Sequence, residues 1–293
     1  MKVRKLAYAL GAEVLDVDIT KPLDDETIRA IRAAWLENLV LVFRGREIAH
    51  ERHIAFSRYF GELELHQNKF NRHGDYPELY VVTNKPRSDG KPSDTRNAGR
   101  VWHSDGAYKL KPSMGSLLYS MEIPPVGGDT LFTNMYMAYD TLSETMKKFI
   151  DPLFAINDRS AGKTDAIRDP NHVAERLKLA PPVLNPVVRV HPESGRKALF
   201  VSSHVTTGID GMKPEESRAI LEFLFAHSVK QEFIFRHHWQ LHDLVMWDNR
   251  CTMHLAPADF DTRHPRYMVR TTLNGTPLGR PYEPQNKQEE SMA

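Results

Sequence analysis

The feature that most limits how this chain can fold is its long series of short apolar or alternating runs, each bounded by Gly, Pro or Asn. Leu79 to Val82, Gly115 to Ser120, Leu199 to Ser202, Phe233 to Trp239, Leu244 to Trp247 and Tyr267 to Leu273 are each of strand length, and Leu39 to Phe43 reads as a further, buried strand. Many short strands spread along a chain must bury their apolar faces against one another, which predicts a β-sandwich or barrel core. Helical spacing is confined to a few intervals. Asp24 and Asp25 offer an N-cap to a stripe of Ile28, Ile31 and Trp35. A second helix is predicted from about His50 to Phe60, with Gly61 at a left-handed C-terminal position, a third from Ser143 to Ile150 before Asp151-Pro152, and a fourth from Pro214 through Ile220, Phe223, Leu224 and His227. The fold class is therefore α+β, with helices buttressing a β core. Met135 to Met146 and the aromatic run near Phe223 read as core.

No repeat or low-complexity tract divides the chain, and residues 1–293 are read as a single domain with a loose polar tail from about Pro281. Asn84 to Arg100 and Asn157 to Pro186 are long for connections and are read as lids or oligomer contacts. Lys and Arg total 39 against 38 for Asp and Glu, a net charge of +1, which gives no electrostatic reason for a nucleic-acid or membrane-surface partner. A single cysteine, Cys251, excludes an internal disulfide framework, and MKVRKLAYALGAEVL lacks the apolar stretch of a signal peptide or membrane span, so a cytoplasmic location is expected.

Chemistry concentrates in two places. In VWHSDGAY, His103 and Asp105 are two residues apart, so on an extended strand both side chains leave one face, with Trp102 and Ser104 turned the other way. Two donors alone make a weak metal motif. MWDNRCTMHLA supplies His254 after a strand and an Asp-Asn turn, and two imidazoles plus one carboxylate compose the facial triad that leaves open positions on non-haem iron(II). The same donor set also suits zinc, which keeps a zinc hydrolase open as an alternative, and a non-catalytic metal or ligand-binding protein of the same fold is a second.

Chain order then carries a family resemblance. FGELELH (Phe60 to His66), WHSD (Trp102 to Asp105), GGDTLF (Gly127 to Phe132), SGRKALFV (Ser194 to Val201), WDNRCTMH (Trp247 to His254) and RYMVRTT (Arg266 to Thr272) occur in the order found in the taurine dioxygenase and 2,4-dichlorophenoxyacetate dioxygenase family. The resemblance implies a double-stranded β-helix (jelly-roll) core with flanking helices, and an iron(II)- and 2-oxoglutarate-dependent dioxygenase that uses O2. It implies His103, Asp105 and His254 as iron ligands and as the catalytic centre. Related halogenases replace the carboxylate with a small residue, so Asp105 favours hydroxylation. A homo-oligomer, dimer or tetramer, is also implied.

Arg266 and Arg270 lie four apart on a predicted strand and so share a face with Met268. Guanidinium groups turned inward need anions, and the partners are expected to be bound molecules, with Asp259 or Asp261 as the competing protein partners. By resemblance, Arg266 and the Thr130 hydroxyl bind the distal carboxylate of 2-oxoglutarate, while Arg270 grips an acidic group on the primary substrate. Gly127 and Gly128 also fit an ordinary tight turn. His66 stands where sulfonate-cleaving relatives carry a substrate-contacting histidine, although a histidine near a strand end is as often a surface or packing residue. His204, in FVSSHVTTGI, falls where relatives line the substrate pocket. Gly99 replaces the asparagine usual in taurine enzymes, and Lys69 an aromatic residue, which argues against taurine itself. The expected substrate is a small sulfonate or carboxylate, with aryloxyalkanoates among the options. His50, His53, His73, His172, His191, His227, His237, His238, His242 and His264 show no partner pattern and read as structural or solvated, and Cys251 as a small buried hydrophobe.

Overall fold

A computed structural model describes residues 1–65, 71–87, 89–160 and 180–283. Its strands are β1 (Lys2–Lys5), β2 (Ala12–Leu15), β3 (Val40–Phe43), β4 (Tyr80–Thr83), β5 (Gly115–Glu122), β6 (Thr130–Asn134), β7 (Phe154–Asn157) and β8 (Val183–Pro186), followed by β9 (Val188–Val190), β10 (Lys197–Leu199), β11 (Thr206–Ile209), β12 (Ile234–His237), β13 (Leu244–Asp248), β14 (Thr252–Leu255), β15 (Tyr267–Leu273) and β16 (Arg280–Pro281). The helices are α1 (Asp25–Asn38), α2 (His50–Arg58), α3 (Met135–Asp140), α4 (Glu144–Ile150) and α5 (Pro214–Ser228).

Seven strands form one sheet in the order β1-β2-β3-β13-β5-β15-β4, antiparallel except for the β2–β3 pair. Because side chains alternate along a strand, this sheet buries two different sets. Val40, Val42, Leu118, Val245, Trp247 and Met268 join a core shared with Phe132 of β6, Phe235 of β12 and Met253 of β14. Their alternates Leu41, Phe43, Leu117, Tyr119, Leu244, Met246 and Val269 pack instead on Ile31 and Trp35 of α1 and on Ile54 and Phe56 of α2. The first core is the interior of the jelly roll, closed on its other side by β12-β6-β14 and β11-β7-β8-β16. The second is the helical buttress. Gly115 allows the closest approach across it, since a Cβ there would meet the Trp35 ring at 2.6 Å.

The expected elements are largely found, with local corrections. Asp24 caps α1 by accepting from Thr27 N at 2.7 Å, and Ser143 caps α4 at Met146 N. Helix α2 stops at Arg58 with a right-handed cap at Tyr59, and Gly61 has φ 157°, so it is not the left-handed terminator. Strand β10 ends at Leu199, because Ser202 N instead turns to the Thr206 hydroxyl at 3.1 Å. Phe223 is not core: it lies on the outer face of α5, 46% exposed. Arg280 and Pro281 pair with Leu184 and Val183, so the chain is still in a sheet where the tail was placed. Among the described residues no helix is long and apolar enough to cross a membrane.

Candidate active site

The metal-ligating types predicted from sequence come together. His103, Asp105 and His254 each offer one donor atom, all within 4.8 Å of one another. The extended geometry expected for His103-x-Asp105 holds only in part: His103 forms an isolated antiparallel bridge with His254, and Asp105 opens a turn. That bridge has two backbone hydrogen bonds, His103 N to His254 O at 3.1 Å and His254 N to His103 O at 2.8 Å. The rings lie 4.1 Å apart between centroids. His103 Nδ1 donates to Val101 O at 2.8 Å, which puts its proton on Nδ1 and turns the Nε2 lone pair toward Asp105 Oδ1, 3.9 Å away.

Asp105 is held from three sides. Arg270 Nη1 donates to its Oδ1 at 2.8 Å, Ser116 Oγ donates to its Oδ2 at 2.7 Å, and its backbone N–H reaches Asn249 Oδ1 at 3.2 Å. Asn249 also accepts from Trp247 Nε1 at 2.9 Å and donates to Ser116 Oγ at 3.1 Å. Burial would raise the carboxyl, but Arg270, the two imidazoles and Ser116 outweigh it and hold Asp105 well below the ordinary carboxylate range. Burial pulls both histidines down, His254 further because His103 adds to the effect. Two neutral imidazoles beside an ionised carboxylate make a donor set that fits a divalent metal.

The turn that delivers His254 is fixed by Asp248. Its carboxylate takes Arg250 Nε and Nη2 at 2.8 and 2.6 Å and lies 3.1 Å from His191 Nε2, and its carbonyl accepts from Thr252 Oγ1 at 2.7 Å. Several histidines that showed no partner pattern in the sequence lie beside carboxylates: His191 by Asp248, His237 3.2 Å from Asp243, and His238 2.9 Å from Asp129. Cys251 is buried as expected.

Arg266 is buried, and its Nε donates to Gly128 O at 3.2 Å. Among the described residues no carboxylate lies within 4.0 Å of its guanidinium: Asp129 and Asp259 pair with Arg236, and Asp261 with Arg263. Burial, reinforced by Arg100, lowers its pKa to about 10. It lines a pocket with Ala98, Arg100, Gly128 and Ala256, the last two residues beyond His254. Gly127 and Gly128 do make a left-handed turn, with φ 75° and 73°. Thr130 is buried and accepts from Trp239 Nε1 at 3.0 Å.

A second pocket contains His103, Asp105, Arg270 and His204, together with Tyr108, Lys109 and Glu64. The His204 ring is 5.6 Å from that of His103. The sequence reading missed Ser116 and Asn249, which hold Asp105, and the Glu64–Lys109 ion pair on the pocket wall. Asn249 sits inside the WDNR motif, the one signal that pointed to it. Asp259 and Asp261, the competing protein partners weighed for the arginines, pair with Arg236 and Arg263, and the carboxylate beside Arg270 is Asp105. His66 and Lys69 lie outside the described residues.

Residues 2–272 match the family model described as taurine catabolism dioxygenase TauD, TfdA family. The α-ketoglutarate-dependent 2,4-dichlorophenoxyacetate dioxygenase of Cupriavidus pinatubonensis is 36% identical, over 84% of this chain and 88% of that protein. The (S)-phenoxypropionate/α-ketoglutarate-dioxygenase of Sphingobium herbicidovorans is 32% identical, over 94% and 95%. The crystal structure of a taurine dioxygenase from Burkholderia xenovorans superposes with a TM-score of 0.80 at 34% identity, covering 97% of this chain and 95% of that one.

Proposed function

The chain belongs to the TauD, TfdA family of α-ketoglutarate-dependent dioxygenases, and from that membership we propose that it hydroxylates a C–H bond of a small anionic substrate, a sulfonate or a carboxylate such as an aryloxyalkanoate. Its cofactors are iron(II), 2-oxoglutarate and O2. In this reading His103, Asp105 and His254 hold the iron, Arg266 and Thr130 hold the distal carboxylate of 2-oxoglutarate, and Arg270 with His204 faces the acidic group of the substrate.

The observation that carries the reading is Arg266: a buried guanidinium without a carboxylate partner among the described residues, in a pocket reaching toward the His254 segment. A buried unpaired cation is costly, and a carboxylate from a bound molecule would offset that cost with a two-pronged hydrogen bond. When bound, the cofactors supply the oxidation: 2-oxoglutarate and O2 give succinate and CO2, and the second oxygen atom enters the substrate as hydroxyl. The protein's own task is positioning. Ser116 and Asn249 fix Asp105, the His103–His254 bridge fixes the two imidazoles, and Arg270 aims the substrate from the same wall. The relatives named above are all dioxygenases, which leaves the zinc-hydrolase alternative without support.

Adding iron(II) and 2-oxoglutarate without oxygen should give the weak visible charge-transfer absorption of a chelated keto acid. A well-folded protein without that band would sink the proposal. Screening sulfonates and carboxylates for succinate release would then identify the substrate.

A further inference from the structure

We infer that Trp239 is a positioning residue for the co-substrate, acting by turning the Thr130 hydroxyl so that its hydrogen points at the distal carboxylate of 2-oxoglutarate. The inference rests on the proposed role of Thr130 and adds how that hydroxyl is set.

Trp239 Nε1 lies 3.0 Å from Thr130 Oγ1, and both residues are buried. An indole N–H can only donate, so the threonine oxygen must be the acceptor. A hydroxyl has one hydrogen and two lone pairs. With one lone pair occupied by the indole, the hydrogen is excluded from that direction and must be spent elsewhere. Among the described residues Thr130 Oγ1 has no other hydrogen bond. Its neighbours behave differently: Thr133 donates to Ser228 O at 2.6 Å and Thr252 to Asp248 O at 2.7 Å. Of these three, Thr130 alone is left with a hydrogen that no acceptor takes among the described residues. Two residues earlier, Gly128 O accepts from Arg266 Nε, so the guanidinium docks on the same short segment that carries the spare hydrogen.

Trp239 is itself braced. Its ring stands edge-on to His237 at 4.6 Å and 87°, and His237 is the residue paired in register with Thr130. The indole therefore reaches Thr130 from just past the end of β12, the strand that pairs with the Thr130 backbone. A hydroxyl oriented before the ligand arrives has less rotational freedom to lose on binding.

Substitution can separate the donor from the bulk of the ring. Trp239→Phe keeps an aromatic ring and removes the N–H; Trp239→His keeps a five-membered ring with Nε2–H in the corresponding place and removes the benzo ring. Binding of 2-oxoglutarate to the manganese(II)-loaded protein, read by calorimetry, should weaken about three- to tenfold in Trp239→Phe and recover largely in Trp239→His. In a Thr130→Val background Trp239→Phe should cause no further loss, and the KM for the primary substrate should not move. Unchanged binding in Thr130→Val would overturn the role of Thr130 and this inference with it. Loss in Thr130→Val but not in Trp239→Phe would overturn the inference alone. Additive losses, or equal losses in Phe and His variants, would make Trp239 a packing residue and likewise overturn it. If Trp239→Phe does not fold, affinity in Trp239→His decides: unchanged supports the inference, and a loss matching Thr130→Val overturns it.

Discussion

Arg270 Nη1 donates to Asp105 Oδ1 across 2.8 Å, so the cation assigned to the substrate and the carboxylate of the metal triad share a hydrogen bond. Arg270 also lies over the Tyr80 ring, 5.2 Å from its centroid, which limits where the guanidinium can swing. On the proposed assignment, substrate binding and the metal centre would be linked through one side chain.

Arg270→Ala should raise the KM of the primary substrate by about tenfold or more while leaving that of 2-oxoglutarate nearly unchanged. Iron(II) affinity should not fall, because Ser116 and Asn249 still hold Asp105 and a repelling cation has been removed. Saturation curves for each substrate and a metal titration check this; an unchanged primary-substrate KM would reject the assignment.

Arg266→Ala should do the reverse, raising the 2-oxoglutarate KM by about a hundredfold and sparing the primary substrate. Arg266→Lys should recover only part, since an ammonium cannot form the planar fork. Equal effects of Arg266→Ala and Arg270→Ala on both saturation curves would contradict the division of labour.

Gly127 is tightly constrained. At φ 75° a Cβ would lie 2.0 Å from the Asp259 carbonyl oxygen, so Gly127→Ala must displace the turn that carries the Gly128 contact to Arg266. The expected cost is about 1–3 kcal/mol, seen as a lower Tm, together with a raised 2-oxoglutarate KM. Gly45→Ala is the control, since φ is 60° there and nothing lies within 4 Å. If the two variants behave alike, backbone strain alone explains the effect.

His53 is fully buried, 3.3 Å from the Thr271 hydroxyl, and burial brings its pKa down to about 3 from a usual 6.5. The unfolded chain therefore binds this proton first as pH falls. The contribution of neutral His53 is complete above about pH 6.5 and declines from there toward pH 3. Between pH 7.5 and 5, His53→Gln should lose about 2 kcal/mol less stability than the parent in urea unfolding. Parallel losses in the two proteins would dismiss His53 as the acid-sensitive group.

Where one physical rule dominates, the sequence was enough to read the structure. Strand β15 and helices α1 and α5 follow their hydrophobic periods and caps, and the triad emerged because three metal-ligating side chains sat in a known order. Strands β6 and β14 were harder: Thr130, Thr133 and Thr252 are buried polar residues there, so neither strand alternates visibly between apolar and polar. Apart from the WDNR motif that contains Asn249, nothing in the sequence marked Ser116 and Asn249 as supports of Asp105, because their contacts cross 11 and 144 residues and exist only once β5 and β13 are paired. Phe223 misled because helical spacing gives a stripe without saying which side is covered.

Strand β6 carries Thr130 at its first position and, two residues on, Phe132 in register with His254. Two strand residues span about 7 Å. On the proposed assignment, the backbone of one strand is thus a gauge between the anchoring hydroxyl and the metal. It would select co-substrates by length: a keto diacid one carbon shorter or longer than 2-oxoglutarate could engage either end, but not both at once.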